Sequence, residues 1–141
     1  MTNDPPRPRG VLDTSVVILL DRITDPDELP VEPLITAVTL AELSVGPLVA
    51  ATASARAARQ ARLQQAEADF DPLPFDAAAA RMFGQVAASL RAAGRKPAAR
   101  SFEAMIAATA LVHGLPVYTA NPCDFADIDG LVVVPVETPP G

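Results

Sequence analysis

Gly10-Val11-Leu12-Asp13-Thr14-Ser15-Val16-Val17-Ile18-Leu19-Leu20 is the stretch on which the fold turns. A short apolar strand over 10–13 ends in an aspartate, two small hydroxyl residues follow, and an apolar helical run over 15–23 begins at once. Open α/β sheets place their sites where a strand's C-terminal end feeds a helix, and Asp13 stands there. The structural alternative is that Asp13 only caps the helix. One aspartate does not decide between these readings; acids recurring at similar junctions would.

Outward from Asp13, short β-branched stretches alternate with longer helical ones. A strand is expected over 34–38, and a helix opening at Thr39 runs to 49, broken by Gly46-Pro47. A helix over 53–68 follows, then a brief extended piece over 73–75. Asp76 caps a long helix over 77–93, which ends at Gly94. The last helix spans 98–113 with Gly114 as its C-cap, and strands over 117–119 and 131–134 complete the chain. Strands alternating with helices predict the α/β class: a three-layer α/β/α sandwich around a mainly parallel sheet of about four strands.

The chain has 141 residues, enough for one domain with a real core. We assign the domain to 10–136, with a flexible lead over 1–9 and a tail over 137–141. Half the residues are apolar but only 4% are aromatic, so closely packed alanine-rich helices are expected. A net charge of −6 disfavours coating nucleic acid by bulk attraction. Yet eight of the 11 basic residues fall in one region: Arg56, Arg59, Arg62, Arg81, Arg91, Arg95, Lys96 and Arg100. All of these except Arg81 are candidate phosphate contacts, the alternative being solvated helix faces. Cys123 is the single cysteine, so no disulfide closes within the chain. No signal-peptide pattern precedes Asp13, and the longest uncharged stretch, 104–123, is interrupted by Gly114, Pro116 and Pro122. A cytoplasmic protein that does not span a membrane is expected.

Three further acids sit after strands or at helix starts. Glu42 closes Thr39-Leu40-Ala41-Glu42, which also matches a capping box. Glu103 lies in the first turn of its helix among apolar neighbours, where the helix dipole favours a carboxylate. Asp124 follows a strand in Thr119-Ala120-Asn121-Pro122-Cys123-Asp124, a turn-rich stretch. Each has a structural explanation, but a parallel sheet gathers such junctions on one edge. Four clustered carboxylates repel and call for a cation. Oxygen-only ligands select Mg²⁺, with Mn²⁺ as the alternative, and such a site suits phosphodiester hydrolysis. His113 is the only histidine, which excludes a His-Glu-x-x-His zinc site, and Ser15 has no evident base for a triad. His113 reads as a packed or dipole-paired helix-end residue and Cys123 as an incidental turn cysteine. No Gly-rich phosphate loop occurs.

Asp13-Thr14-Ser15, Thr39-x-x-Glu42, Glu103-Ala104-x-Ile106-Ala107-Ala108 and Thr119-x-Asn121-x-x-Asp124-Phe125 resemble the ordered motifs of PIN-domain ribonucleases, and among them the VapC toxins of toxin–antitoxin pairs. The resemblance runs from Val11 to Val134. It implies a PIN-like fold and a Mg²⁺-dependent endoribonuclease with Asp13, Glu42, Glu103 and Asp124 as catalytic, metal-holding acids. Ser15, Thr39, Thr119 and Asn121 would support them. It also implies an RNA substrate, a homodimer and a VapB-type antitoxin. The third acid is usually Asp in the family and is Glu103 here. Two alternatives stand beside this reading: a non-catalytic PIN-like binding module, and a haloacid-dehalogenase-like phosphatase with Asp13 as nucleophile. The second would want an acid at the position of Ser15.

Overall fold

The computed structural model describes residues 8–137. Four strands form one parallel sheet in the order β2-β1-β3-β4. They are β1 (Arg9–Leu12), β2 (Glu32–Leu34), β3 (Val117–Thr119) and β4 (Val133–Pro135). Five α-helices accompany them: α1 (Thr14–Leu19), α2 (Ala37–Val45), α3 (Ala53–Asp69), α4 (Ala77–Ala92) and α5 (Ser101–Val112). The predicted α/β sandwich with four strands is what is found. Of the lead and tail assigned to 1–9 and 137–141, residues 1–7 and 138–141 lie outside the described residues; Arg9 opens β1.

Alternation along the two central strands divides the core. Val11 and Val117 face one side, where they join Val86 and Leu90 of α4 and Ile106 and Ala107 of α5. Leu12 and Tyr118 face the other, with Val16, Val17, Leu43 and Ala66 from α1, α2 and α3. Helices thus cover both faces, as buried parallel strands require. The expected alanine packing is clearest in α5, where Ala104, Ala107, Ala108 and Ala110 are all buried. A helix apolar on every side belongs in a core, and α5 packs most extensively against α4. Small side chains also admit close approach at Gly10, where a Cβ would come within 2.5 Å of the Tyr118 ring.

Element edges differ from expectation for local reasons. β2 forms over Glu32–Leu34 rather than 34–38, and it contains Pro33, which an outer strand tolerates. Ile35 and Thr36 are drawn away to pair with Leu73: Leu73 N–H donates to Ile35 O at 2.9 Å and Ala37 N–H to Leu73 O at 2.8 Å. Thr36, not Thr39, therefore caps α2, accepting from Thr39 N–H at 3.3 Å. Glu42 lies well inside the helix, and the capping-box pattern is not used. The helix expected over 98–113 begins as a 3₁₀ turn, Pro97–Arg100, before α5 proper.

Candidate active site

The C-terminal ends of β1 and β3 lie side by side, and Asp13 N–H donates to Tyr118 O at 3.0 Å. This brings the residue after β1 against the end of β3. Asp13 is buried, at 6% exposure, and both its carboxylate oxygens are engaged. Oδ1 accepts from Ser15 Oγ at 2.5 Å and from Val16 N–H at 3.2 Å. Oδ2 accepts from Thr119 Oγ1 at 2.7 Å. The supports are themselves supported: Ala120 N–H donates to Ser15 Oγ at 3.1 Å, and Asn121 N–H to Thr119 Oγ1 at 2.9 Å. Asp13 is thus both an N-cap for α1 and the centre of a polar network. The two sequence readings of this residue do not compete.

Glu42 reaches the same region from α2. Its Oε1 accepts from Thr14 Oγ1 at 2.7 Å, and that hydroxyl stands 3.1 Å from Thr39 Oγ1. Thr14 thus joins the supports, although no spacing in the sequence pairs it with Glu42. Glu103, in the first turn of α5, and Asp124, in the 3₁₀ turn Pro122–Phe125, complete a cleft of about 220 Å³. Thr14, Ser15 and Asn121 also line it, with Ile18 and Ile106 as apolar walls. Larger hollows exist elsewhere; one of about 610 Å³ lies between Pro47, Leu48 and α3 but has no acid in its lining. Chemistry, not size, distinguishes the small cleft.

Burial pushes the Asp13 carboxyl above its ordinary range. The donors Ser15, Thr119 and Val16 pull the other way, and the negative charge of Glu103 adds to the rise. Glu42 is likewise pushed up, first by burial and then by the charges of Glu103 and Asp13, against the Thr14 hydroxyl. The acids therefore feel one another, as the like-charge argument required. Asp124 has a partner of its own: Arg100 Nη1 donates to its Oδ1 at 2.6 Å. Among the described residues no three acid, histidine or cysteine side chains stand close enough together to hold a metal ion as they are placed. The chemistry of the lining acids is nonetheless the kind that a hard divalent cation prefers. It is oxygen-only, it carries excess negative charge, and Glu103 raises both neighbours.

The candidate phosphate contacts do not gather on this cleft as a group. Arg59 Nη1 donates to Gly46 O at 3.0 Å. Arg62 lines a hollow against α1, and Arg56 lines another beside Leu48. Arg91 and Lys96 are exposed at the end of α4. Arg95 is bound within the chain, to Asp127 Oδ2 at 2.8 Å and Cys123 O at 3.1 Å. Arg100 alone of the seven touches a cleft acid. His113 and Cys123 are exposed and lie outside the cleft lining. Among the described residues no helix is long and apolar enough to cross a membrane.

Comparison with known proteins bears on the family and the fold. The model of the PIN domain family matches residues 10–131. The chain is 43% identical over 129 residues to ribonuclease VapC5 of Mycobacterium tuberculosis, covering 90% of this chain and 93% of that one. It is 35% identical over 131 residues to ribonuclease VapC4 of the same organism, covering 91% and 97%. The crystal structure of VapBC-5, a member of the VapBC family of toxin–antitoxin systems from M. tuberculosis, superposes with a TM-score of 0.77 at 41% identity, over 93% of this chain and 99% of that one.

Proposed function

The chain belongs to the PIN domain family, and from that premise we propose that it is a VapC-type toxin: a divalent-metal-dependent endoribonuclease held in check by a VapB-type antitoxin. The observation that carries the reading is the convergence of Asp13, Glu42, Glu103 and Asp124 on one cleft, from four separate segments of the chain. The names of the two ribonuclease relatives and of the VapBC-5 complex support the substrate class and the partner. The family match also removes the ground for a haloacid-dehalogenase-like phosphatase. A homodimer in the cytoplasm completes the proposal.

Asp13, Glu42, Glu103 and Asp124 would hold the cation, Mg²⁺ first and Mn²⁺ second. When bound, it supplies Lewis acidity toward water and the phosphodiester. The chain's own residues set the conditions. Ser15 and Thr119 fix both oxygens of Asp13, so its orientation exists before any ligand arrives. Thr14 does the same for one oxygen of Glu42. Ile18 and Ile106 give the cleft two apolar walls. Preorganised carboxylates whose repulsion is relieved only by a cation give both affinity for the metal and selection for an anionic substrate beside it.

The test is cleavage of total cellular RNA and of a randomised pool of single-stranded oligoribonucleotides by antitoxin-free protein, in Mg²⁺, Mn²⁺ or EDTA. We expect cleavage in both metals, none in EDTA, and a loss of about 10³-fold in Asp13→Asn, which keeps the shape but removes the central charge. Cleavage that persists in EDTA or survives Asp13→Asn refutes the metal–acid mechanism. Binding of RNA without cleavage in any metal replaces it with the non-catalytic module.

A further inference from the structure

Among the described residues the one basic side chain bonded to a cleft acid is Arg100. Among the described residues the ion pairs are Arg9–Glu32, Arg95–Asp127 and Arg100–Asp124, and only the last involves the cleft. We propose that Arg100 is an internal counter-cation of the active site: it neutralises Asp124 while no divalent cation is bound, and passes to a phosphate of the RNA once one is. The proposal rests on the metal-dependent ribonuclease reading above.

Three observations support an exchangeable rather than a structural role. First, the pair is open to water, with side-chain exposures of 30% for Arg100 and 37% for Asp124. Such pairs contribute little to stability, so separating them is cheap compared with the attraction of a divalent ion to four acids. Second, Arg100 uses one donor of its guanidinium on Asp124, out of five available, and that planar fork suits a phosphate. Third, Arg100 stands at the N-cap position of α5 without making a side-chain capping bond, three residues before Glu103. Its side chain is not required to start the helix, and its backbone position fixes it at the rim of the cleft. Arg95 is the contrast. It binds both Asp127 and the Cys123 carbonyl, which is the pattern of a fastening.

The exchange has two consequences with opposite signs. Removing Arg100 frees Asp124 and deletes a positive charge near the metal position, so cation affinity should rise. The same change removes a phosphate ligand, so cleavage at saturating metal should fall. A residue that merely held Asp124 in place would lower both.

The experiment is calorimetric titration of Mn²⁺ into wild type, Arg100→Gln, Arg100→Lys and Asp13→Asn without RNA, followed by single-turnover cleavage of the randomised pool at saturating Mn²⁺. Arg100→Gln should bind Mn²⁺ roughly three- to tenfold more tightly and cleave about tenfold more slowly or worse. Arg100→Lys keeps the charge and should bind Mn²⁺ within about twofold of wild type, with intermediate cleavage. Weaker or unchanged Mn²⁺ binding in Arg100→Gln overturns the proposal, as does wild-type cleavage at saturation. Thermal melts establish that each variant folds; if Arg100→Gln does not, a Lys variant that cleaves like wild type is the overturning result. Failure of the parent reading looks different: the wild type then binds no Mn²⁺, or binds it no better than Asp13→Asn, and both ideas fall together.

Discussion

The two walls of the cleft are built by different physics. On one side Asp13 is seated by the sheet: it is buried, β1 and β3 fix its backbone, and hydroxyls from Ser15 and Thr119 hold its oxygens. On the other side Asp124 rides on a 3₁₀ turn and the loop after it, fastened by Arg95 and paired with Arg100. That loop includes Asp127, a non-glycine residue at φ 68°, a conformation that costs energy unless its surroundings hold it. Buried hydrogen bonds are little screened by salt, whereas exposed ion pairs are screened strongly. The first wall should be rigid under all conditions, and the second should be adjustable.

The strongest way to break the rigid wall is Thr119→Val. Thr119 is fully buried, and its hydroxyl serves both Asp13 Oδ2 and Asn121 N–H. Valine keeps the volume but leaves a buried carboxylate short of a donor and a backbone N–H without its acceptor. We expect a loss of about 2–3 kcal/mol, read as a fall in Tm of roughly 6–12 °C. Cleavage should fall about 10²-fold as Asp13 loses its orientation. Thr119→Ser restores the hydroxyl and should recover most of both. A Val variant as active as wild type would show that the sheet alone positions Asp13.

The same division explains how much was legible in the sequence. The sheet-built wall was readable because its signals are local: an apolar strand, an acid and small hydroxyls in immediate succession, and a strand at Val117–Thr119 found where expected. The α/β layering followed from alternation, and the four acids from their place after strands or at helix starts. What escaped was decided by partners distant in sequence. Thr39-x-x-Glu42 has the spacing of a capping box, yet Leu73 pairs with Ile35 and Thr36, ends β2 early and shifts the cap to Thr36. Glu42 is then freed to meet Thr14, 28 residues away. The partners of the basic cluster were hidden in the same manner. Spacing along α3 does not say that Arg59 will bind Gly46 O, and nothing near Arg95 announces Asp127.

Glu103→Gln tests whether the walls share one electrostatic field. Glu103 raises the carboxyls of both Asp13 and Glu42. With folded-state values above the ordinary ones, the folded chain holds more protons than the unfolded chain. Stability then falls as pH rises from the ordinary carboxylate range through the raised values, and it is retained below that range. Removing Glu103's charge lessens the rise, so the variant should match wild type at acidic pH and exceed it by about 0.5–1 kcal/mol near neutrality in EDTA. Thermal melts across that range check the sign. With saturating Mn²⁺ the order should reverse, because the wild type then gains more from binding. A variant equally stable at every pH would mean that the acids are too well solvated to couple.

The smallest effect belongs to the adjustable wall. Arg95→Ala removes the bonds to Asp127 and Cys123 O, and with them the counterweight to the left-handed backbone at Asp127. The Arg95–Asp127 pair is partly exposed, so the expected loss in global stability is below about 1 kcal/mol. Locally the consequence should be larger. Amide exchange in residues 122–130 should quicken, while the amides of Asp13 and Val16 stay as protected as before. Mn²⁺ affinity should fall a few-fold, since the fourth acid is no longer held near the other three. Raising the salt concentration should reproduce part of this in the wild type and change little in the variant, because the ion pair that salt screens is already gone. If Arg95→Ala instead quickens exchange at Asp13 and Val16 as strongly as in the loop, the walls are one cooperative unit and the contrast between them fails.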